Sequence, residues 1–373
     1  MLEIYDYMRE HQDAIKRDIV TLISNDSPST DQVLCNACKD VIQTLLVREF
    51  GYEATEFPQE QTGTHLRFEY GEGHEQLLLV GHYDTVWQKG ALTIYEEAGK
   101  LYGPGVVDMK SSIVMAIWAL KACKELQLTL PYKVICIFNS DEEIGSKTSR
   151  DLIRDEAKKS KAVLVLEPPE ASGALKTSRK GILSFDIEIQ GKAAHAGNNF
   201  TAGISAINEA ARLITQLSHL TDLELGTTVN VGTIQGGSAK NVVPEYVRLG
   251  VDIRVLTKHE AHHMERVFTH LKPTRKDIQL TVTGGVDRPP MPRLDSTEHI
   301  FDETYAIAGE LHYILRQVAA GGGSDANFTS DFAPTLDGLG VIGGGMHARD
   351  EHIVLSELPK RFALLTKMLV ELK

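Results

Sequence analysis

The strongest constraint on the fold is a short apolar run, Leu77–Val80, that ends in Gly81-His82-Tyr83-Asp84. An uninterrupted apolar run bounded by glycine is typical of a strand buried on both faces of an α/β sheet. His82 and Asp84 then follow at its carboxyl end, where open α/β sheets carry their active sites. Residues two apart point the same way in extended chain. The Asp84 carboxylate is therefore expected to accept the spare ring proton of His82 while the other ring nitrogen binds a metal.

Bulk composition narrows the possible function classes. A chain of 373 residues exceeds what one hydrophobic core usually supports, so two domains are expected. The formal net charge of -12 argues against nucleic acid or an anionic membrane surface as the main partner. The N-terminal segment lacks the basic and apolar regions of a secretion signal, and no later stretch has the apolar length of a membrane span. A cytoplasmic location is therefore expected.

Acidic residues follow two further buried strands. The predicted strand Lys133–Asn139 precedes Glu142 and Glu143, and the next predicted strand ends at Glu167. Asp108 stands directly before an apolar helix, whose N-terminal dipole favours an ionised carboxylate. Solvated acids scatter along a chain, whereas these follow buried strands at the first turn. One edge of the sheet is therefore expected to collect them.

Together with His82 and a late His347, these acids could hold two divalent ions. One carboxylate would bridge both ions, and each ion would take one histidine and one terminal carboxylate. Mixed nitrogen and oxygen ligands suit zinc, and cobalt or manganese less selectively. Paired ions of this kind polarise a carbonyl and activate a water. A lone loop histidine is more often a surface residue, so the assignment of His347 depends on the set as a whole.

The pattern of apolar and polar residues changes near Thr177. Up to residue 287, alternating strands and two helices follow in the order βαββαβ. This order predicts a small α+β domain, residues 177–287, inserted into a first α/β domain that comprises residues 1–176 and 288–373.

An early helix is expected to begin at Ser29 and Gln32, which form the pattern of a capping box, and to end before Gly51. Cys35 and Cys38 fall inside this helix. The chain has four cysteines and lacks the second pair that would complete a zinc site, so these two are expected to be partly buried helix residues.

Four longer motifs carry a resemblance to a known family. They are Gly81-His82-Tyr83-Asp84-Thr85-Val86, Tyr102-Gly103-Pro104-Gly105-Val106-Val107-Asp108-Met109-Lys110, Asp141-Glu142-Glu143-Ile144-Gly145-Ser146 and Leu166-Glu167-Pro168. Shorter matching stretches are 191–197, 241–244, 252–254 and 321–326. In these motifs the chain resembles the M20 family of co-catalytic metallopeptidases, and within it the glutamate carboxypeptidase (carboxypeptidase G2-like) branch. The likeness extends over nearly the whole chain.

The resemblance implies a zinc-exopeptidase-like catalytic domain with a mixed sheet flanked by helices. It also implies that the inserted domain is a ferredoxin-like α+β lid, which commonly mediates dimerisation. A cis peptide bond between Asp108 and Met109 is a further implication. The chain departs from many relatives at Trp87, where proline is frequent, and at 173–176, which leaves the preferred C-terminal residue of a substrate open.

The resemblance also assigns a dinuclear centre. It implies five metal ligands, namely His82, Asp108, Glu143, Glu167 and His347. Asp108 would bridge the ions, His82 and Glu167 would complete the shell of one, and Glu143 and His347 that of the other. Asp84 would orient His82, and Glu142 would be the catalytic general base. Consecutive side chains in non-helical backbone point apart, so Glu142 and Glu143 can have different roles.

Four residues of the inserted domain and its surroundings resemble a substrate clamp. His195 would stabilise the oxyanion at the partner subunit's active site. Asn241 and Arg254, with backbone around Gly322, would hold the free carboxylate of the substrate. The resemblance implies a homodimer. From the residues alone, Arg254 could equally be an ordinary exposed strand residue and Asn241 a turn residue.

The segment from His259 to His263 satisfies the HExxH pattern of zinc peptidases. Thr257 and Glu260 form a capping box, however, so the pattern lies in the first turn of a helix. The glycine and third histidine of the extended pattern are absent from the sequence. These histidines are therefore expected to be solvated.

The leading hypothesis is a hydrolase with two divalent ions, zinc first, that cleaves an amide next to a free carboxylate in small peptides or N-acyl amino acids. An aminoacylase or deacylase with the same chemistry is the first alternative. The second is a metal-binding family member without turnover.

Overall fold

The computed structural model describes residues 2–170 and 173–373. Within these ranges the chain forms ten α-helices. They are α1 (Leu2–Glu10), α2 (Gln12–Ile23), α3 (Gln32–Phe50), α4 (Ser111–Glu125), α5 (Arg150–Ala157), α6 (Ala206–Ser218), α7 (Lys258–Thr269), α8 (Asp295–Glu310), α9 (Ala326–Thr329) and α10 (Leu358–Glu371).

The same ranges contain eighteen strands, several of only two residues. They are β1 (Thr55–Phe57), β2 (His65–Tyr70), β3 (Gln76–His82), β4 (Tyr95–Glu97), β5 (Lys100–Tyr102), β6 (Lys133–Asn139), β7 (Ser160–Val165), β8 (Leu175–Arg179), β9 (Gly181–Gln190), β10 (Ala194–His195), β11 (Thr228–Gly236), β12 (Val242–Val243), β13 (Tyr246–Val255), β14 (Gln279–Arg288), β15 (Gln317–Ala320), β16 (Thr335–Leu336), β17 (Gly343–Gly344) and β18 (His352–Val354).

The described chain divides into two compact units. The first contains the described residues up to Ser178, together with Arg293–Ala319 and Ser324–Lys373. The second contains Arg179–Pro292 and Ala320–Gly323. Each unit has a hydrophobic core of its own. In the described ranges, no helix has the length and apolar character needed to cross a membrane.

A six-stranded sheet organises the first unit, with strand order β1-β2-β6-β3-β7-β16. β3 pairs in parallel with β6 and β7, and β16 pairs in parallel with β7. β1 and β2 are antiparallel, and so are β2 and β6. The mixed sheet flanked by helices that the family resemblance implies is therefore confirmed. A second, antiparallel sheet has the order β17-β18-β5-β4.

β3 lies in the middle of the six-stranded sheet, and all seven of its residues are buried. Burial on both faces explains why its sequence is continuously apolar rather than alternating. α4 is similarly enclosed, since every residue from Ser111 to Leu120 is buried. A helix that is apolar all round belongs in a core, and α4 accordingly joins the core of the first unit.

The start of α3 differs from the expected capping box. Asp31 is the N-cap residue, and its side chain accepts a hydrogen bond from the backbone N–H of Leu34 at 3.0 Å. Ser29 is buried instead, and its hydroxyl donates to Asp84. The prediction was wrong because Ser29 has a partner far away in the sequence. The end of the helix is as expected, with Gly51 in the left-handed conformation at φ +86°.

The second unit contains a four-stranded antiparallel sheet with the order β11-β13-β9-β14. Apart from the two-residue strands β10 and β12, its elements follow in the predicted order βαββαβ. Buried residues alternate along β9, which is typical of a sheet with one covered face. Residues of α6 and α7 share the core with the sheet, and Phe185 of β9 stacks on Phe268 of α7 with ring centroids 4.6 Å apart.

Candidate metal centre

Three neighbouring strands lead the candidate ligands to one edge of the six-stranded sheet. In the parallel ladders, His82 of β3 is opposite Asn139 of β6, and Val80 of β3 is opposite Val165 of β7. The three strands therefore end at the same level. Glu142, Glu143 and Glu167 follow β6 and β7 within a few residues, so they leave the sheet at the edge where His82 lies.

The carboxylate of Asp108 lies between two histidines. Its Oδ1 is 3.2 Å from His82 Nε2, and its Oδ2 is 3.2 Å from His347 Nε2. Each histidine also faces a second acid. His82 Nε2 is 3.7 Å from Glu167 Oε1, and His347 Nε2 is 3.2 Å from Glu143 Oε2. The cluster thus consists of two histidine and glutamate pairs that share one carboxylate.

The donor set fits divalent metal ions. Ligand atoms of His82, Asp108 and Glu143 lie within 4.8 Å of one another, and so do those of His82, Glu142 and Glu167. Imidazole nitrogens and carboxylate oxygens together suit zinc, cobalt and manganese. The side chains of Asp108, Glu143 and Glu167 are all less than a tenth exposed. Several ionised carboxylates this close together in a buried place require cations beside them.

The electrostatics of the metal-free cluster follow from the same contacts. Burial favours neutral His82, but hydrogen bonds to Asp108 and Asp84 raise its pKa well above the usual value. Hydrogen bonds to Asp108 and Glu143 raise the pKa of His347 to about 10. Burial would raise the pKa of Asp108, yet the two histidines hold it below its usual range. Burial raises the pKa of Glu143. Without metal, protonated histidines thus supply the positive charge.

Asp84 contacts both His82 and the segment that carries the two glutamates. The ring Nδ1 of His82 is 3.0 Å from the backbone oxygen of Asp84 and 3.4 Å from its Oδ1. The carboxylate accepts the backbone N–H groups of Glu142 and Glu143, each at 3.2 Å, and the Ser29 hydroxyl at 2.6 Å. The nearest oxygen to the ring is therefore the carbonyl. The carboxylate that was expected to orient His82 also fixes the glutamate turn.

Glu142 and Glu143 lie in a short 3-10 turn, Glu142–Ile144, rather than in extended backbone. Successive side chains of a 3-10 helix are separated by about a third of a turn, so the two glutamates still point in different directions. The side chains of Glu142 and Glu143 therefore point apart as expected, although the backbone geometry that separates them is a 3-10 turn.

The segment that carries Asp108 is irregular. Val106–Lys110 form a tight turn before α4, in which Asp108 has extended backbone with φ -122° and ψ 90°. The peptide bond between Asp108 and Met109 is cis, which confirms the expectation from the resemblance. The turn presents the Asp108 side chain to both histidines immediately before the helix begins.

Family comparison agrees with this geometry. The family model described as "Peptidase family M20/M25/M40" matches residues 78–371. This range is most of the chain and includes every residue of the cluster. The chain belongs to peptidase family M20. As an M20 metallopeptidase it is a hydrolase, and the family resemblance seen in the motifs is confirmed.

Individual relatives of this M20 peptidase include enzymes of two kinds. Carboxypeptidase G2 of Pseudomonas sp. (strain RS-16) is 30% identical over 313 residues, which cover 81% of this chain and 75% of the relative. Acetylornithine deacetylase of Myxococcus xanthus is 33% identical over 224 residues, which cover 56% of each chain. A dinuclear metal binding M20 peptidase of Bacillus subtilis has a similar fold, with a TM-score of 0.69 at 17% identity, covering 97% of this chain and 99% of that one.

Two residues beside the centre of this M20 peptidase were not among its predicted site residues. The Ser29 hydroxyl donates a hydrogen bond to the Asp84 carboxylate. Glu351 is buried and lies against the Asp108 segment. Burial raises the pKa of Glu351 to about 7, although hydrogen bonds from Trp87 and backbone amides oppose the shift. The only signal for Glu351 in the sequence is an acid four residues after His347, and Ser29 gives none.

The expected clamp residues His195, Asn241, Arg254 and Gly322 all lie in the second unit. The short strands β10 and β12 pair His195 with Val242, and the backbone oxygen of Asn241 accepts the N–H of Ala196 at 2.9 Å. His195 and Asn241 are thus brought together. The ring of His195 is exposed, and its Nδ1 accepts the N–H groups of Gly197 at 3.1 Å and Asn198 at 3.0 Å.

Arg254 and Gly322 have partners of their own. The guanidinium of Arg254 forms a two-point ion pair with Asp252, with distances of 2.8 Å from Nε to Oδ1 and 2.9 Å from Nη2 to Oδ2. The carbonyl of Gly322 accepts Nη1 of buried Arg179 at 3.0 Å. Arg254 is partly exposed, and its assignment as a clamp residue stays a prediction.

The HExxH segment is a surface feature. α7 begins at Lys258, and the Thr257 side chain accepts the N–H of Glu260 at 3.1 Å as its N-cap. His259 and His263 are both exposed. The expected capping is therefore confirmed, and the histidines lie on the solvent side of the helix.

Proposed function

We propose that this M20 peptidase is a hydrolase with two divalent metal ions that cleaves an amide bond next to a free carboxylate. Small peptides and N-acyl amino acids are the substrate class. The observation that carries the proposal is the position of the Asp108 carboxylate, whose two oxygens face His82 and His347 at equal distances of 3.2 Å. A carboxylate that offers one oxygen to each of two imidazoles has the geometry of a bridge between two ions.

In this proposal Asp108 would contribute to holding both ions, His82 and Glu167 would hold one of them, and Glu143 and His347 would hold the other. Zinc is the first candidate, with cobalt and manganese as alternatives. When bound, the ions would supply Lewis-acid polarisation of the scissile carbonyl and of a water. The hydrogen bond from Nδ1 of His82 to the Asp84 carbonyl supports this role, because it leaves the lone pair of Nε2 for a metal.

Glu142 is the proposed general base. It belongs to one of the two ligand clusters, yet it is only partly buried, so its carboxylate can take a proton from water and deliver it to the leaving nitrogen. Asp84 supports the base by accepting the N–H groups at the start of its turn. Glu142 is assigned no metal, because Glu167 and Glu143 already provide a terminal carboxylate beside each histidine.

The second unit is proposed to bind the substrate as a lid. Nδ1 of His195 accepts two N–H groups, which leaves Nε2 as the ring nitrogen that can donate a hydrogen bond to an oxyanion. Arg254, Asn241 and the backbone at Gly322 would hold the free carboxylate. When substrate binds, the guanidinium of Arg254 must release the Asp252 carboxylate and pair with the carboxylate of the substrate instead.

A homodimer through the lid is proposed as well. β11 is an edge strand, and from Thr233 onward its residues are exposed, including Ile234 at 56%. An exposed edge strand with apolar residues is a surface on which a second copy can pair. Light scattering on the purified protein tests this, with Ile234→Lys expected to shift the protein toward a monomer.

The cytoplasmic location expected from the sequence stays a prediction, which cell fractionation would test.

The substitution Glu142→Gln tests the function. We expect kcat to fall roughly 10²- to 10⁴-fold, the usual contribution of a general base, while elemental analysis still finds two metal ions per chain. Glu97→Gln is the matched control, because Glu97 is exposed on β4, and it should retain full activity. Turnover by Glu142→Gln at the wild-type rate with both ions bound would contradict the assignment.

A deacylase of the same chemistry is the second candidate, and the 33% identity with acetylornithine deacetylase favours it. A panel of dipeptides and N-acyl amino acids that share one C-terminal residue distinguishes the two. A carboxypeptidase or dipeptidase would prefer the peptides, and a deacylase would prefer the acyl compounds. A metal-binding protein without turnover would process neither after addition of zinc or cobalt.

A further inference from the structure

The buried carboxylate of Glu351 accepts four N–H groups. Its Oε1 accepts the backbone N–H of Val107 at 3.0 Å and that of Asp108 at 3.3 Å. Its Oε2 accepts the backbone N–H of Gly105 at 3.2 Å and the indole N–H of Trp87 at 2.5 Å. Both oxygens therefore face protein donors. This use of its lone pairs separates Glu351 from the acids of the metal cluster, whose oxygens face one another and the histidines.

These four donors belong to two segments that carry cluster residues. Three are backbone amides of the turn that presents Asp108, and these include the amide of Asp108 itself. The fourth donor, Trp87, follows His82 by five residues on the loop that leaves β3. The position of a single carboxylate thus sets the distance between the His82 loop and the Asp108 turn.

The backbone of Glu351 ties in the third segment, which carries His347. Its N–H donates to the carbonyl of Ala348 at 3.0 Å, and its own carbonyl accepts the N–H of Gly103 at 3.3 Å. The loop is tightly closed, because a Cβ atom on Gly345 would lie 2.8 Å from the nitrogen of Glu351. Glu351 is therefore the last residue of the His347 loop and, through its side chain, a partner of the Asp108 turn.

Gly105 allows the close approach of the turn. Its φ is +67°, and a Cβ atom there would lie 2.6 Å from Cγ2 of Thr85 on the His82 loop. Only glycine fits both conditions, so the turn can press against that loop while its N–H groups point at Glu351. At this position the Asp108 turn and the His82 loop are packed without room for a side chain between them.

We propose that Glu351 is a positioning residue that holds the bridging carboxylate of Asp108 midway between His82 and His347, with Trp87 as the side chain that fixes Glu351. The inference rests on the proposed metal centre and adds to it a residue that contacts no metal. An ionised carboxylate is the one side chain that accepts four N–H groups at once. Glutamine at this position would turn its NH₂ group toward two donors, whichever way the amide is oriented.

The test is metal affinity of Glu351→Gln, measured by competition with a chromophoric chelator on the metal-free protein. We expect affinity for zinc to fall roughly 10- to 100-fold, the usual effect of losing a group that orients ligands. We also expect the visible absorption spectrum of the cobalt-loaded protein to change, because Asp108 and the histidines no longer share their present geometry. Trp87→Phe removes one donor and should weaken binding about 10-fold, the size of one hydrogen bond to a charged group.

Glu156→Gln is the matched control. Glu156 is also a buried glutamate of the first unit, and it accepts hydrogen bonds from Arg67 and Gln76 at 3.1 Å and 3.0 Å. Its substitution should lower the melting temperature and leave zinc affinity and the cobalt spectrum unchanged. This separates a positioning effect from a general loss of stability.

Three outcomes would overturn the inference. If Glu351→Gln folds and keeps wild-type zinc affinity and cobalt spectrum, the residue is only structural. If Glu351→Gln does not fold, Trp87→Phe decides, and wild-type affinity in that variant contradicts the role. If the wild-type protein itself binds no divalent ion, both the proposed function and the inference are wrong. If the wild-type protein binds the ions and the variants bind them equally well, only the inference is wrong.

Discussion

At the scale of single residues, Asp84 has more partners than a residue that only orients a histidine requires. Its carboxylate accepts two backbone N–H groups of the glutamate turn and the hydroxyl of Ser29. An ionised buried carboxylate is stabilised by each such donor. The base and one candidate ligand are therefore held in place by a residue that precedes them by more than fifty positions.

We predict that Ser29→Ala lowers the free energy of unfolding by about 2 kcal/mol, the size of one hydrogen bond to a charged group. Urea unfolding measures the change. Ser24→Ala is the control, since the Ser24 hydroxyl is exposed and donates to the carbonyl of Val20, four residues earlier in the chain. The control should change stability by less than about 0.5 kcal/mol. Equal effects of the two substitutions would mean that Ser29 has no special partner in solution.

Binding of metal to the cluster should release protons. The pKa of His347 is about 10 and that of His82 is raised well above its usual value, so both are protonated near neutral pH in the metal-free chain. A metal takes the neutral imidazole, so the bound protons must leave. Affinity should therefore rise as pH increases toward about 10. Titration calorimetry in two buffers of different ionisation enthalpy measures the release, and identical heats in both buffers would contradict it.

At the scale of secondary structure elements, α7 shows why a short motif can mislead. Its HExxH pattern places His259 and His263 one turn apart, but the helix buries Ala261, Met264 and Phe268 instead. Because the buried stripe packs into the core of the second unit, the histidines face solvent. The amphipathic pattern of the helix, rather than the motif, determines their surroundings.

We predict that the double substitution His259→Ala and His263→Ala leaves both metal content and turnover unchanged. Elemental analysis and a standard activity assay check this. His82→Ala is the comparison, and it should lose at least one metal ion per chain, because His82 is shared by both candidate ligand groups. Loss of zinc from the double variant with retention in His82→Ala would reverse the assignment.

At the scale of the whole molecule, all seven proposed residues of the metal centre belong to the first unit, although they are spread from residue 82 to residue 347. The second unit has a separate core. A metal that binds only the folded first unit stabilises that unit through mass action. The two units are therefore expected to respond differently when metal is removed.

Calorimetric scans with and without a chelator test this expectation. We predict two unfolding transitions, of which one moves to lower temperature when metal is removed and the other stays in place. At a thousandfold excess of metal over its dissociation constant, the stabilisation is about 4 kcal/mol. A substitution in the second core, Leu249→Ala, should identify the transition that stays. Equal shifts of both transitions would show that the units unfold as one.

Local periodicity was enough for the buried central strand and the βαββαβ order of the second unit, because the apolar run of β3 and the alternation of β9 are visible without knowledge of any partner. The mixed sheet came from the family resemblance instead. The position of candidate ligands after β3, β6 and β7 follows as well, because parallel strands end at a common edge.

Only the tertiary structure decided which polar groups meet. Ser29 donates a hydrogen bond to Asp84 instead of capping α3, and Arg254 is paired with Asp252. Glu351 accepts hydrogen bonds from segments more than two hundred residues away in sequence. Hydrogen bonds and ion pairs of this kind act over about 3 Å, and they depend on the packing of distant segments rather than on any repeat in the chain. Periodicity therefore determined the elements, and close packing determined the partners of each charge.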